Sequence, residues 1–159
     1  MSKSNWAAFL ELKVPPPVVA VLTAGSIWGV SRAVPTLGFT LPYRNVILLT
    51  LLLAGVCVAV SGVAAFRRAR TTLNPLTPDQ ASALVRSGIY QYTRNPMYLG
   101  LLLVLLGWAL FVSNVIAFVL LPAFVLYLNR FQIAPEERAL ASMFGEEFTA
   151  YKATVRRWL

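Results

Sequence analysis

The sequence predicts an all-α integral membrane protein. About four transmembrane helices are expected, the last two forming a tight antiparallel hairpin, followed by short cytoplasmic amphipathic helices at the C-terminus. Three observations lead there. Of 159 residues, 58% are apolar and only 13% are charged, whereas a soluble domain carries about a quarter charged. The apolar residues fall in long blocks instead of at the spacing of a soluble core. Finally, most arginines and lysines, which give a net charge of +8, flank those blocks, and this suits a membrane surface better than nucleic acid. No stretch outside the blocks is long enough to bury its own core. The chain therefore reads as one membrane domain, 1–159, with two N-terminal helices within 14–66 and a C-terminal core at 67–159.

The chain starts MSKSNWAAFLELKVPPPVVAVLTAGS, which imitates a signal peptide. Its apolar run continues past any small-residue cleavage point, so the segment is expected to be retained. The first block, 14–34, opens with Pro15-Pro16-Pro17, residues that suit a helix start because the first N–H groups lack partners anyway. It contains Gly25-Ser-Ile-Trp-Gly29, a GxxxG spacing that marks either a helix contact within the monomer or a dimer face. Block two covers 46–66. A turn-rich stretch at 71–80 without clear period follows and reads as a loop. Block three, 97–112, would be only about 24 Å long at ~1.5 Å per residue, short for ~30 Å of hydrocarbon. Only Ser113-Asn114 separates it from block four, 115–133, hence the hairpin. Pro122 should kink that last block.

Charge then sets sidedness. Lys3, Lys13, Arg67, Arg68, Arg70, Arg86, Arg94, Arg130, Arg138, Lys152, Arg156 and Arg157 lie on one side, against Arg32 and Arg44 on the other. The positive-inside rule places both termini and the 67–97 loop in the cytoplasm. The chain has no histidine and one cysteine, Cys57. An intrachain disulfide is excluded, and so are histidine base chemistry and most zinc, haem and non-haem iron sites; no metal is expected. The absence of ionisable residues in mid-block argues against a transporter.

Chemistry is concentrated at two places on the cytoplasmic side. In GIYQYTRNPMYLG, residues 88–100, Asn95-Pro96 reads as N-cap and first helical residue. The helix start and Arg94 together favour an anion, or else Arg94 merely snorkels to headgroups. Past block four, Pro135 starts a new helix with Glu136 and Glu137 in its first turn, where acids complement the helix dipole. Because block four runs antiparallel to block three, these acids should emerge beside Arg94 and Asn95, a pairing that suits a zwitterionic ligand. In the tail, Leu140, Met143, Phe144, Phe148, Tyr151 and Val155 recur at helical spacing, with Gly145 as a break. Two short amphipathic helices are expected, acting as a surface anchor, a lid, or both.

The run LVRSGIYQYTRNPMYLG, followed by PEERALASMFGEEFTAYKATVRRWL, resembles the isoprenylcysteine carboxyl methyltransferase family in its prokaryotic branch, and more distantly the phospholipid methyltransferases. The resemblance covers roughly 67–159. It implies S-adenosylmethionine as cofactor, methyl transfer to a lipophilic acceptor entering from the bilayer, and a cofactor site built from Ser82, Ala83, Leu84, Val85, Tyr90, Arg94, Asn95, Pro96, Met97, Tyr98, Glu136 and Glu137. The eukaryotic enzymes have His where this chain has Asn95. They also have a substrate-linked arginine where this chain has Gln132, with Arg130 nearby, so these two are the candidate substrate contacts. A carboxylate acceptor needs no base, and an amine or thiol does; no catalytic base is assigned. Phospholipid N-methylation and an NADPH-dependent membrane reductase of related architecture are the alternatives.

Overall fold

The computed structural model describes residues 11–69 and 83–159. Among these residues five helices run in order: α1 (Pro16–Ala33), α2 (Arg44–Ala69), α3 (Pro96–Val112), α4 (Ala117–Leu128) and α5 (Ala134–Thr154). A π-helical turn, Asn129–Ile133, joins α4 to α5, and 3₁₀ turns lie at Pro35–Leu37 and Gly88–Gln91. Among the described residues there is no β-strand, only an isolated bridge between Gly38 and Asn114.

Two of these runs are long and apolar enough to cross a bilayer, Arg44–Ala69 and Ala117–Thr154, where four were expected. The apolar part of the second is α4 with the π turn. Helix α3 falls short because it has 17 residues. Helix α1 has 18 residues, but Pro16, Pro17, Thr23, Ser26, Ser31 and Arg32 dilute it. Only 11% of the most apolar window of α2 is buried inside the protein. Its Val46, Leu49, Leu53, Val56 and Val60 are exposed. A soluble core helix would hide such a face, so the pattern fits lipid contact.

Lipid tails are as apolar as leucine, so close backbone approach must hold such helices together. Here glycine provides it at places the GxxxG spacing does not mark. A Cβ built on Gly55 would lie 2.6 Å from the Gly100 carbonyl oxygen, and one on Gly100 would lie 2.5 Å from that of Gly55. Gly62 faces Pro96 and Met97, while Gly107 faces Leu48 and Leu51. Each helix thus carries glycines seven residues apart on one face, and the contacts pair α2 with α3 antiparallel. Gly25 and Gly29, in contrast, have nothing within 4 Å. The expected packing role of that motif within the monomer is not realised, since its face of α1 points outward. The α1–α3–α4 core is filled by Ile27, Leu105, Ala109, Leu121, Phe124 and Leu128, and the Trp108 indole donates to the Ala24 carbonyl at 3.0 Å.

The hairpin closes through Ser113, whose left-handed φ of 55° lets its N–H cap Ala109. Asn114 bonds Ile116 N–H and the Val34 carbonyl. This ties the hairpin to the α1–α2 linker, where Phe39 N–H donates to Ser113 O and Val115 N–H to Leu37 O. Pro122 lies inside α4, which continues across it.

Pro135 does not start a separate helix, contrary to expectation. The π turn carries α4 directly into α5, with Ala134 N–H bonded to Asn129 O. Proline lacks the N–H that would reach the carbonyl four residues back, Phe131 O. Leu12 N–H fills that vacancy at 3.0 Å, so the N-terminal segment completes the junction. The tail breaks at Gly145 (φ 49°, ψ −119°) within α5, where the sequence places the boundary between two amphipathic helices.

Candidate functional site

The start of α3 and the start of α5 meet. The Tyr98 hydroxyl donates to Glu136 Oε1. One residue on, Arg94 Nη1 lies 3.1 Å from Glu137 Oε1, both side chains being 12% exposed. That contact is an ion pair without an aligned hydrogen bond, and Arg94 Nε and Nη1 have no hydrogen-bond partner among the described residues. Two residues remote in sequence from their partners are thus juxtaposed because α3 and α4 form a hairpin and α4 flows unbroken into α5.

Glu137 is the hub of a larger cluster. Arg157 grips it with two parallel bonds, Nε to Oε1 at 3.0 Å and Nη2 to Oε2 at 2.6 Å, and Lys152 Nζ stands 4.0 Å away. Three cations surround one carboxylate, so the cluster keeps excess positive charge. The bidentate grip also latches the C-terminal residues over α3. Asn95 Nδ2 donates to the Arg157 carbonyl at 2.9 Å, Thr93 Oγ1 to the same oxygen at 3.4 Å, and Arg94 N–H to Arg156 O at 3.0 Å. Trp158 Nε1 donates to Asn129 Oδ1 at 3.0 Å.

This arrangement corrects the reading of Asn95. It occupies the N-cap position, but its side chain caps no helical N–H; its amide nitrogen instead donates to the Arg157 carbonyl and holds the tail. Pro96 and Met97 pack on Gly62 of α2. Leu84 packs with Phe148 and Tyr151, and Val85 with Ala65 and Tyr90. Ala83 lies partly buried beside them. Ser82 and the 71–80 loop lie outside the described residues. The candidate substrate contacts Gln132 and Arg130 are engaged by the N-terminal segment: Gln132 Nε2 donates to Val14 O at 2.7 Å, and Arg130 Nη1 to Glu11 Oε1 at 2.5 Å. Gln132 is fully buried, and its Oε1 has no partner among the described residues.

The electrostatics follow from burial. Glu136 lies beyond the apolar part of its helical run, and its carboxyl is pushed up to about 8, chiefly by desolvation. The Tyr98 hydrogen bond opposes that shift, and the Glu137 charge adds to it. Desolvation also raises the Tyr90 phenol well above its ordinary value, with the charges of Tyr151 and Glu136 adding. Burial pushes Tyr151 up to about 12, against the attraction of Arg94 and Arg86. Its hydroxyl donates to the Tyr90 carbonyl at 2.7 Å, which locks α5 onto the 3₁₀ turn. Tyr90, Tyr98, Tyr151, Arg94 and Glu136 therefore form one partly desolvated polar group.

Thr93, Asn129 and Arg157, which bond around this group, carry no site signal in the sequence, and Tyr151 reads there only as part of the amphipathic face. Arg157 had been counted only towards sidedness, and nothing in the local pattern around Asn129 signals a role. Among the described residues no cluster of His, Cys, Asp and Glu could hold a metal ion.

The chain matches the family described as phospholipid methyltransferase over residues 43–147. An uncharacterized protein of Haemophilus influenzae is 52% identical over 63 residues, covering 40% of this chain and 100% of its own length. No solved structure matches.

Proposed function

The chain belongs to the phospholipid methyltransferase family, and on that premise we propose that it is an S-adenosylmethionine-dependent methyltransferase acting on a lipophilic acceptor in the membrane. The observation that carries this reading is the Tyr98–Glu136 contact beside Arg94. A methionine-type end group is a zwitterion. It needs a carboxylate for its ammonium and a cation for its carboxylate, and Glu136 and Arg94 are of those types. The orphaned Arg94 Nε and the cation excess around Glu137 support the second half of that match. Bound cofactor would supply a methyl group already activated on a sulfonium.

The protein's own tasks are then alignment and exclusion of water. Glu136 gives up its proton and its Tyr98 bond to receive a cation, while Arg94 keeps its position through Glu137. The tail, latched by Arg157 and backed by Phe148 and Tyr151, covers the site. All four apolar helices are proposed to cross the bilayer, with both termini and the 67–97 loop cytoplasmic. Helix α3 would span about 25 Å at ~1.5 Å per residue.

For the acceptor, the family supports a phospholipid amine. Such an amine must lose a proton, and with Glu136 engaged by the cofactor ammonium that proton passes to water. Carboxyl methylation of an isoprenylcysteine-like acceptor is the second reading. It is favoured by the Glu11 carboxylate seated between Arg130 and Arg138, which supports a carboxylate-accepting surface next to the π turn. Purified protein should transfer label from S-adenosylmethionine to a lipid extract, and chromatography of the product separates amine from carboxyl esters. Glu136→Ala should abolish cofactor binding in calorimetry. Unchanged affinity, or binding of NADPH in its place, would overturn the assignment.

A further inference from the structure

At the opposite end of the bundle lies a cleft of about 830 Å3. Its lining includes Trp28 and Arg32 of α1, Arg44 at the start of α2, and Trp108 and Phe111 of α3. The floor is the α1–α2 linker bonded to the α3–α4 hairpin, and its polar groups are consumed by each other: Phe39 N–H on Ser113 O, Val115 N–H on Leu37 O, Asn114 Nδ2 on Val34 O. Among the described residues the Arg32 and Arg44 guanidinium groups of the lining meet no carboxylate.

Among the described residues no acidic side chain pairs with them at this end. The chain has six acids, and none lies between Glu11 and Asp79 or between Asp79 and Glu136. Arg32 and Arg44 have no ion-pair partner among the described residues, and the Arg44 guanidinium sits over the Phe111 ring at 5.2 Å. Stacking on a ring face leaves the in-plane N–H groups free for an oxyanion. Trp28 is 55% exposed at the rim, and tryptophan there suits the headgroup level of a bilayer. An anion must come from outside the protein, and an aromatic-rimmed cleft opening at the membrane boundary selects one that carries acyl chains.

We propose that this cleft binds the phosphate headgroup of an anionic phospholipid of the leaflet opposite the methyl-transfer site, with Arg32 and Arg44 as its ligands. The two sites are separated by the length of α3, roughly 25 Å. The proposal rests on the membrane-spanning reading given above, but not on the identity of the cofactor.

The test is native mass spectrometry of the full chain titrated with phosphatidylglycerol or phosphatidylcholine. Wild type should bind the anionic lipid at least about tenfold more tightly. Arg32→Gln with Arg44→Gln should erase that preference. Arg32→Lys with Arg44→Lys should retain most of it, which separates loss of charge from misfolding. Arg67→Gln with Arg68→Gln, at the other end, should leave it unchanged. Equal binding of both lipids by wild type, or undiminished preference in the double Gln variant, overturns the proposal. So does full competition by millimolar inorganic phosphate, which would make the ligand a free anion. Cofactor calorimetry on the same preparations distinguishes this failure from failure of the methyltransferase reading, because the two sites share no residue.

Discussion

Placing a methyl group at Gly100 tests how the two halves of the protein are held in register. A Cβ there would lie 2.5 Å from the Gly55 carbonyl oxygen and 2.9 Å from the Ala59 Cβ. Relaxed carbon contacts fall near 3.5–4.0 Å, so the shortfall is about 1 Å. The obstacle is backbone and a stub of side chain on the neighbouring helix, neither of which can swing aside. Relief requires α2 and α3 to separate by a substantial part of that distance. Overpacking of this kind costs about 1–3 kcal/mol, set against about 1 kcal/mol of helix propensity gained by Gly→Ala. Because Tyr98 lies in the first turn of α3 and Arg94 and Asn95 immediately precede it, the shift also reaches the candidate site, where a displacement near 1 Å can cost about 10²-fold in rate. Gly100→Ala should therefore lower thermal stability in detergent and reduce methyl transfer by one to two orders of magnitude. Gly25→Ala and Gly29→Ala, which meet open space, should leave both unchanged or raise stability slightly. Scanning fluorimetry and a single-turnover assay on the three variants give the answer. A neutral Gly100→Ala, or a Gly25→Ala as damaging, would refute the packing argument.

Glu136 gives a pH prediction with two opposite signs. Its carboxyl titrates near 8 in the folded protein against 4.5 ordinarily, so the folded state holds an extra proton between those values and the free protein loses stability as pH rises through that window. Binding of a cationic group needs the ionised form, so cofactor affinity should rise by up to about tenfold per pH unit below 8 and level off above it. Calorimetry in two buffers of different ionisation enthalpy would detect proton release on binding to the wild type; a pH-independent wild type contradicts the assignment. Arg157→Ala removes the bidentate grip on Glu137 but leaves Arg94 and the main-chain bonds from Thr93 and Asn95. With Arg157 about a third exposed, a loss of about 1–2 kcal/mol is expected, together with faster proteolysis after residue 154. Digestion at the wild-type rate would mean that the tail is held by its backbone alone.

The helical class, the block positions and the hairpin at Ser113-Asn114 were legible in the sequence because they depend on local composition and on a linker too short for any other connection. Glu136 and Arg94 could be placed near each other for the same reason: antiparallel helices of similar length return their ends to one side. Asn95 and Pro135 were misjudged because each was assigned its local role. A remote carbonyl at Arg157 claims the Asn95 amide, and a remote N–H from Leu12 repairs the Phe131 carbonyl that Pro135 leaves open.

Apolarity, charge placement and the absence of histidine thus follow from the residues alone, and they determine where the chain can reside and which chemistries it must do without. Which glycines touch, which carboxylate is desolvated and which cations crowd Glu137 were decided by the tertiary structure. Those properties depend on distances between helices, and close approach of two backbones has no signature along either one until the partner's face is known. The seven-residue glycine spacing in α2 and α3 acquires meaning only when the two helices are laid antiparallel, Gly55 against Gly100.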